Sequence, residues 1–123
     1  MEEEAISKEI VDSAIKVHTT LGCGMLESVY ETCLAHELAR RSLPVRKQVV
    51  MPIQYEGVTP DAGYRLDLLI AEKVVVEVKA VERMLPLHVA QLLTYLKLGG
   101  YRLGLLLNFN TVHLRHGIRR VIN

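Results

Sequence analysis

Apolar residues recur at intervals of three and four over the N-terminal third of the chain, then give way to short alternating or continuous runs, so helices precede strands. Ile10, Val11, Ala14, Ile15 and Val17 share one side of a first helix, with Ser7 as its cap and Glu9 in its first turn. Gly22 and Gly24 interrupt that period. A second helix, about residues 25–41, presents Leu26, Val29, Tyr30, Cys33, Leu34 and Leu38 on one side and ends on basic residues. Residues 45–55 contain an imperfect or edge strand, because Val49, Met51 and Ile53 alternate against Gln48, Val50 and Gln54 but Pro52 falls among them. Residues 64–70 and 74–80 are the strongest strand candidates, and their short link predicts an antiparallel hairpin. Pro86 opens a third helix to about residue 98, stopped by Gly99 and Gly100. Residues 103–109 form an almost continuous apolar strand, and residues 111–121 a more polar one around Gly117. This order predicts an α/β (α+β) fold: a mixed β-sheet flanked by helices, with an N-terminal helical pair, as one domain over residues 1–123.

Charges inside the hairpin change the picture. Asp67, Glu77 and Lys79 sit within runs that otherwise read as buried strand, where a carboxylate is costly unless paired, hydrogen-bonded or bound to a cation. Glu77 and Lys79 are two apart and emerge on one face. Asp67 joins them only if the link is the three residues Ala71, Glu72 and Lys73, which sets it opposite Glu77; a two-residue link pairs it with Val78 and turns its carboxylate away. Glu72 and Lys73 are poor at the positive φ of a tight two-residue turn, which favours the longer loop. In that register two carboxylates supply oxygen ligands for a hard cation such as Mg2+, and Lys79 can orient water or neutralise phosphate charge. Without a cation the two acids repel and one tends to stay protonated. The alternative is an ordinary hairpin, in which Glu77 and Lys79 form a surface pair and Asp67 pairs with Arg65 or a lysine.

Two further groups bear on the choice. Glu27 falls in the first turn of the second helix, anchored by Leu26, Val29 and Tyr30, where it serves either as a further metal ligand or as a helix-end charge. His88, Gln91 and Tyr95 share one face of the third helix; Gln91 can donate to a phosphate or position water, while His88 and Tyr95 fit substrate contacts or packing. No glycine-rich phosphate loop, paired CxxC or Ser-His-acid triad is present, and Cys23 and Cys33 lack metal-ligand spacing.

Half the residues are apolar and 24% charged, which is globular composition. The net charge of +1 conceals an asymmetry: residues 1–82 hold all 14 acids, whereas residues 83–123 hold 6 Lys or Arg and no acid. Such a basic end attracts a polyanion or satisfies the acidic part of the same domain or of a second subunit. The start, Met1-Glu2-Glu3-Glu4, is acidic where a signal peptide is basic, and no apolar run nears the ~20 residues of a membrane span. A soluble cytoplasmic protein with no membrane partner is the expectation.

Gly24-x-x-Glu27-x-x-Tyr30, followed by the block around Asp67, Val76-Glu77-Val78-Lys79-Ala80 and the block around Gln91 to Leu96, resembles the GxxExxY proteins over residues 6–120. That family is similar to the PD-(D/E)XK nuclease superfamily. The resemblance implies a restriction-endonuclease-like core, divalent-metal binding (Mg2+ or Mn2+) by Asp67 and Glu77, a catalytic Lys79, Glu27 as the N-terminal acidic contributor and Gln91 as the helical polar contributor. Leu66 stands where the superfamily name has proline. The implied function is a divalent-metal-dependent nuclease hydrolysing phosphodiester bonds in DNA or RNA, with Arg83, Lys97, Arg102, Arg115, Arg119 and Arg120 available to the nucleic-acid backbone. The alternative is a noncatalytic nucleic-acid- or protein-interaction module that keeps the nuclease-like fold; a homodimer is a further expectation.

Overall fold

A computed structural model describes residues 1–123. Helices α1 (Glu3–Leu21) and α2 (Glu27–Arg40) precede strands β1 (Val45–Met51), β2 (Tyr64–Ile70) and β3 (Val74–Lys79). Helix α3 (Pro86–Gly99), strand β4 (Leu103–Asn108), a 3-10 turn (Leu114–Gly117) and strand β5 (Ile118–Ile122) complete the chain. The strands form one sheet in the order β1-β2-β3-β4-β5. Only β3 and β4 run parallel, and α3 is the crossover that such a pair requires. The result is a mixed α/β fold with helices on both faces of its sheet, consistent with a restriction-endonuclease-like core.

The burial pattern explains why the sheet has two cores. Strands β3 and β4 are covered on both faces, so they read as nearly unbroken apolar runs. Val74, Val76, Val78, Leu105 and Leu107 turn toward α1 and α2, where they meet Ile6, Ile10, Leu34, Leu38 and Phe109. Val75 and Leu106 turn the other way, into a smaller core with Leu92 and Leu96 of α3. Gly104 lets that helix lie close, since an added Cβ would stand 3.0 Å from Leu92 Cδ1.

Several expected boundaries shift for identifiable reasons. Helix α1 begins at Glu3, so Ser7 is not its cap; Ser7 is buried inside the helix, where Arg120 reaches its hydroxyl. Glu9 pairs with Arg41 instead of occupying the first turn. Strand β1 stops at Met51, because Pro52 cannot donate to a ladder. Gly100 ends α3 in a left-handed cap. The polar C-terminal segment becomes the 3-10 turn before it becomes β5.

The hairpin has the three-residue link. Leu68 pairs with Val76, Leu69 with Val75 and Ile70 with Val74, which sets Asp67 across from Glu77. The expected reason fails, however: Ala71 and Glu72 both adopt positive φ, 52° and 56°, with Lys73 N–H donating to the Ile70 carbonyl at 3.0 Å. Register is held by the apolar match on both faces, and the loop absorbs the strain.

Candidate functional site

Asp67 and Glu77 stand where the β2–β3 ladder stops being made of backbone alone. Asp67 N–H donates to Glu77 Oε2 at 2.9 Å, and Val78 N–H donates to Asp67 Oδ2 at 2.9 Å. Each carboxylate therefore replaces a carbonyl in the ladder, Glu77 holding the backbone of Asp67 and Asp67 the backbone next to Glu77. The remaining oxygens, Asp67 Oδ1 and Glu77 Oε1, accept no hydrogen bond and are not sealed from solvent.

A break in strand alternation creates the gap they fill. Tyr64 and Leu66 face the α3 core, yet Leu68 and Ile70, also even-numbered, face the α1–α2 core. The phase reverses at Asp67. Strand β1 reverses with it: Val49 and Met51 pack with the α3 core and Val45 with the other. Pairing accordingly passes from Lys47↔Leu68 to Val49↔Leu66 with no pair between Gln48 and Asp67. Gln48 itself is left-handed, with φ 52°.

The electrostatics follow from burial. Glu77 is only 5% exposed, so desolvation, reinforced by the neighbouring Asp67 charge, pushes its pKa up to about 8. Asp67 is also raised, chiefly by burial, while the Val78 N–H opposes the shift. Lys79 favours the ionised form of both acids. Tyr95 is raised by burial and then by the charges of Glu77 and Asp67, which places its hydroxyl within electrostatic reach of the pair. The surface ion pair between Glu77 and Lys79 is thus replaced by a buried carboxylate clamp, as the proximity of two desolvated acids demands.

The other predicted residues are distributed around this clamp. Lys79 is half-buried at the end of β3, and its backbone carbonyl accepts from Phe109 N–H at 2.9 Å. Glu27 lies beyond the strand end, where Oε2 accepts a long bond of 3.4 Å from Ala80 N–H. Gln91 is exposed on α3 and makes no hydrogen bond to the acids. His88 is a capping residue: its Nδ1 accepts from Leu85 N–H at 3.0 Å. No group of three or more His, Cys, Asp or Glu side chains is close enough together to hold a metal ion, so neither Glu27 nor Glu31 forms a trio with Asp67 and Glu77. The clamp nevertheless fits a hard cation in its chemistry, because it offers two free carboxylate oxygens in one spot, where a cation can take the place of the proton that burial imposes.

Tyr30 explains the Gly24, Glu27, Tyr30 spacing. Its ring is buried and stacks on Phe109 at 4.5 Å, while its hydroxyl donates to the Gly22 carbonyl at 2.6 Å and accepts from Met25 N–H at 3.1 Å. Gly24, at φ 95°, makes the turn that this hydroxyl clasps, and Glu27 emerges from it. Tyr30→Phe is expected to cost about 1–2 kcal/mol in urea unfolding, since two hydrogen bonds to one hydroxyl are lost with packing retained. Loss of less than a few tenths would mean that the clasp is idle.

Three site residues had weak or no sequence signals. Glu31 lies four residues after Glu27, hence on the same side of α2, and receives Gln48 Nε2 on both oxygens at 2.8 and 3.0 Å. Gln48 looks like an ordinary outward strand residue. Asn108 is the polar break in an apolar run, and its amide grips Val81 from both sides: Val81 N–H donates to Oδ1 at 3.1 Å and Nδ2 to the Val81 carbonyl at 2.9 Å. That grip fixes the chain just after Lys79. Among the basic residues, Arg120 is held by Glu4 at 2.6 Å, whereas Arg83, Lys97, Arg102, Arg115 and Arg119 are exposed.

No helix is long and apolar enough to cross a membrane. The family model described as the PD-(D/E)XK nuclease superfamily matches residues 4–121. Neither a search of curated proteins nor one of solved structures finds a match.

Proposed function

Because this chain belongs to the PD-(D/E)XK nuclease superfamily, matched over residues 4–121, we propose that it is a divalent-cation-dependent nuclease acting on DNA or RNA as one domain over residues 1–123. Within the superfamily we assign it to the GxxExxY proteins, on Gly24, Glu27 and Tyr30. The observation that carries the reading is the reciprocal clamp: two acids locked in place, each with a free oxygen, with Lys79 two residues further along β3.

Asp67 and Glu77 would hold Mg2+ or Mn2+ through Oδ1 and Oε1, with Glu27 at the margin. When bound, such an ion neutralises phosphate charge and makes water a better nucleophile at neutral pH. Lys79 Nζ, free of any ion pair, orients the attacking water and stabilises negative charge gathering on the phosphate oxygens. Gln91 donates to the phosphate without adding charge. Exposed Arg83, Lys97, Arg102, Arg115 and Arg119 contact the sugar-phosphate backbone, so affinity falls steeply as salt rises. Nothing resembles a base-reading element, which favours recognition of nucleic-acid form over sequence. The free thiols Cys23 and Cys33, the first of them exposed, suit a reducing cytoplasm.

Single- and double-stranded DNA and RNA are expected to be cut in Mg2+ or Mn2+ and left intact in excess EDTA, by gel assay at low salt. No cleavage of any form, together with no calorimetric heat on Mn2+ titration, would overturn the enzymatic reading. The lack of a three-acid cluster favours a second one, a noncatalytic module that binds nucleic acid or protein, alone or as a homodimer. Its mark is binding that divalent ions leave unchanged.

A further inference from the structure

We infer that Gln48 is a positioning residue of the Asp67–Glu77 site: it holds Glu31 beside the pair, making Glu31, and not Glu27, the α2 acid whose charge acts on a bound cation from outside its ligand set. This inference rests on the cation reading of the clamp. It is carried by four features of the structure.

Gln48 sits opposite Asp67, at the one position in β1–β2 where pairing is interrupted. Its backbone is left-handed at φ 52°, a conformation a glutamine adopts only when its surroundings impose it. Its amide donates to both oxygens of Glu31, while its own Oε1 is sealed from solvent without a partner. A fold selected for stability alone gains nothing from an orphaned amide oxygen and a strained backbone at one residue.

The choice of glutamine has a chemical logic. Lysine or arginine at this position would fix Glu31 but cancel its charge. A neutral amide fixes it and leaves the negative charge available to a cation. Glu31 lies one helical turn beyond Glu27 on α2 and is tied through the Gln48 amide to the β1 position opposite Asp67, whereas Glu27 reaches only the backbone past the end of β3. Glu27 is meanwhile engaged at Ala80 N–H.

Gln48→Gly separates the two roles, because glycine accepts the left-handed backbone and removes only the amide. Mn2+ affinity by calorimetry and apo melting temperature are compared for the intact protein, Gln48→Gly, Glu31→Gln and the double variant. Gln48→Gly is expected to melt no lower than the intact protein, yet to bind Mn2+ about tenfold more weakly, the effect typical of losing an outer partner of a metal site. Glu31→Gln should weaken Mn2+ as much or more, and the double variant no more than Glu31→Gln, because Gln48 acts through Glu31. Unchanged Mn2+ affinity in Gln48→Gly or Glu31→Gln, or additive losses in the double variant, overturns this inference while leaving the clamp intact. Absence of Mn2+ binding by the unsubstituted protein overturns the cation reading and this inference with it.

Discussion

Replacing Glu77 by glutamine is expected to stabilise the cation-free protein and to silence it. Burial and the adjacent Asp67 raise the Glu77 pKa from 4.5 to about 8 in the folded protein, while the unfolded chain ionises near 4.5. Between those values the folded state holds the extra proton. The stabilising contribution of neutral Glu77 is therefore complete below about pH 4.5, declines as pH rises through about 8, and is gone above it. Glutamine cannot ionise, and its carbonyl can still accept from Asp67 N–H, so the variant avoids that decline. In EDTA its advantage should be near zero at pH 4 and grow to the order of 3 kcal/mol at pH 9, or roughly 10 °C in melting temperature. The intact protein should recover much of this difference in Mn2+ at pH 9, since a cation replaces the missing proton, and the variant should gain little. Cleavage by Glu77→Gln should fall at least 1,000-fold, on the scale of losing a dominant electrostatic contributor. A variant less stable than the parent at pH 9 would show that Glu77 is a structural carboxylate, and one that still cuts would remove it from the reaction.

How far the sequence discloses this arrangement depends on which physical effect decides each residue. The hairpin is legible because apolar residues dominate 64–70 and 74–79 and leave room for only a short loop. Its register is legible for a different reason from the one expected. Left-handed Ala71 and Glu72 cost about 1–2 kcal/mol each, and the match of Leu68 and Ile70 to Val76 and Val74 outweighs it. Local preference loses to burial here. Gln48 is illegible by the same principle: strand periodicity assumes unbroken alternation, and the reversal opposite Asp67 exists only because two strands break together. Ser7 misleads because its capping preference competes with an apolar face that already continues back to Ile6, a position fully buried against the sheet. Glu31 is half legible, since four-residue spacing puts it beside Glu27, but only the fold shows that Gln48 of β1 holds the first and Ala80 N–H the second. Gln48 and Glu31, the two that resist sequence reading most, thus sit together opposite the buried carboxylate pair, where packing and polarity make opposing demands.

That same conflict makes Lys79→Ala the sharpest test of chemistry as distinct from architecture. The backbone at Lys79 is fixed without its side chain: Phe109 N–H donates to its carbonyl, Ala80 N–H reaches Glu27, and the Asn108 amide grips Val81. Truncation should leave the fold in place. The ammonium favours ionisation of both Asp67 and Glu77, so its removal raises the pKa of each a little further and costs modest stability above neutral pH. It also removes a positive charge from beside the cation, so Mn2+ affinity should be unchanged or slightly tighter. Cleavage, by contrast, should fall about 100- to 10,000-fold if the ammonium holds the attacking water and offsets phosphate charge as proposed. Lys79→Arg keeps the charge but spreads it over a planar fork, and should retain only part of the rate. Calorimetry and single-turnover cleavage on the same preparations separate these effects. If Lys79→Ala binds Mn2+ normally and cuts within tenfold of the parent, the lysine is a counter-charge for two buried acids and takes no part in hydrolysis.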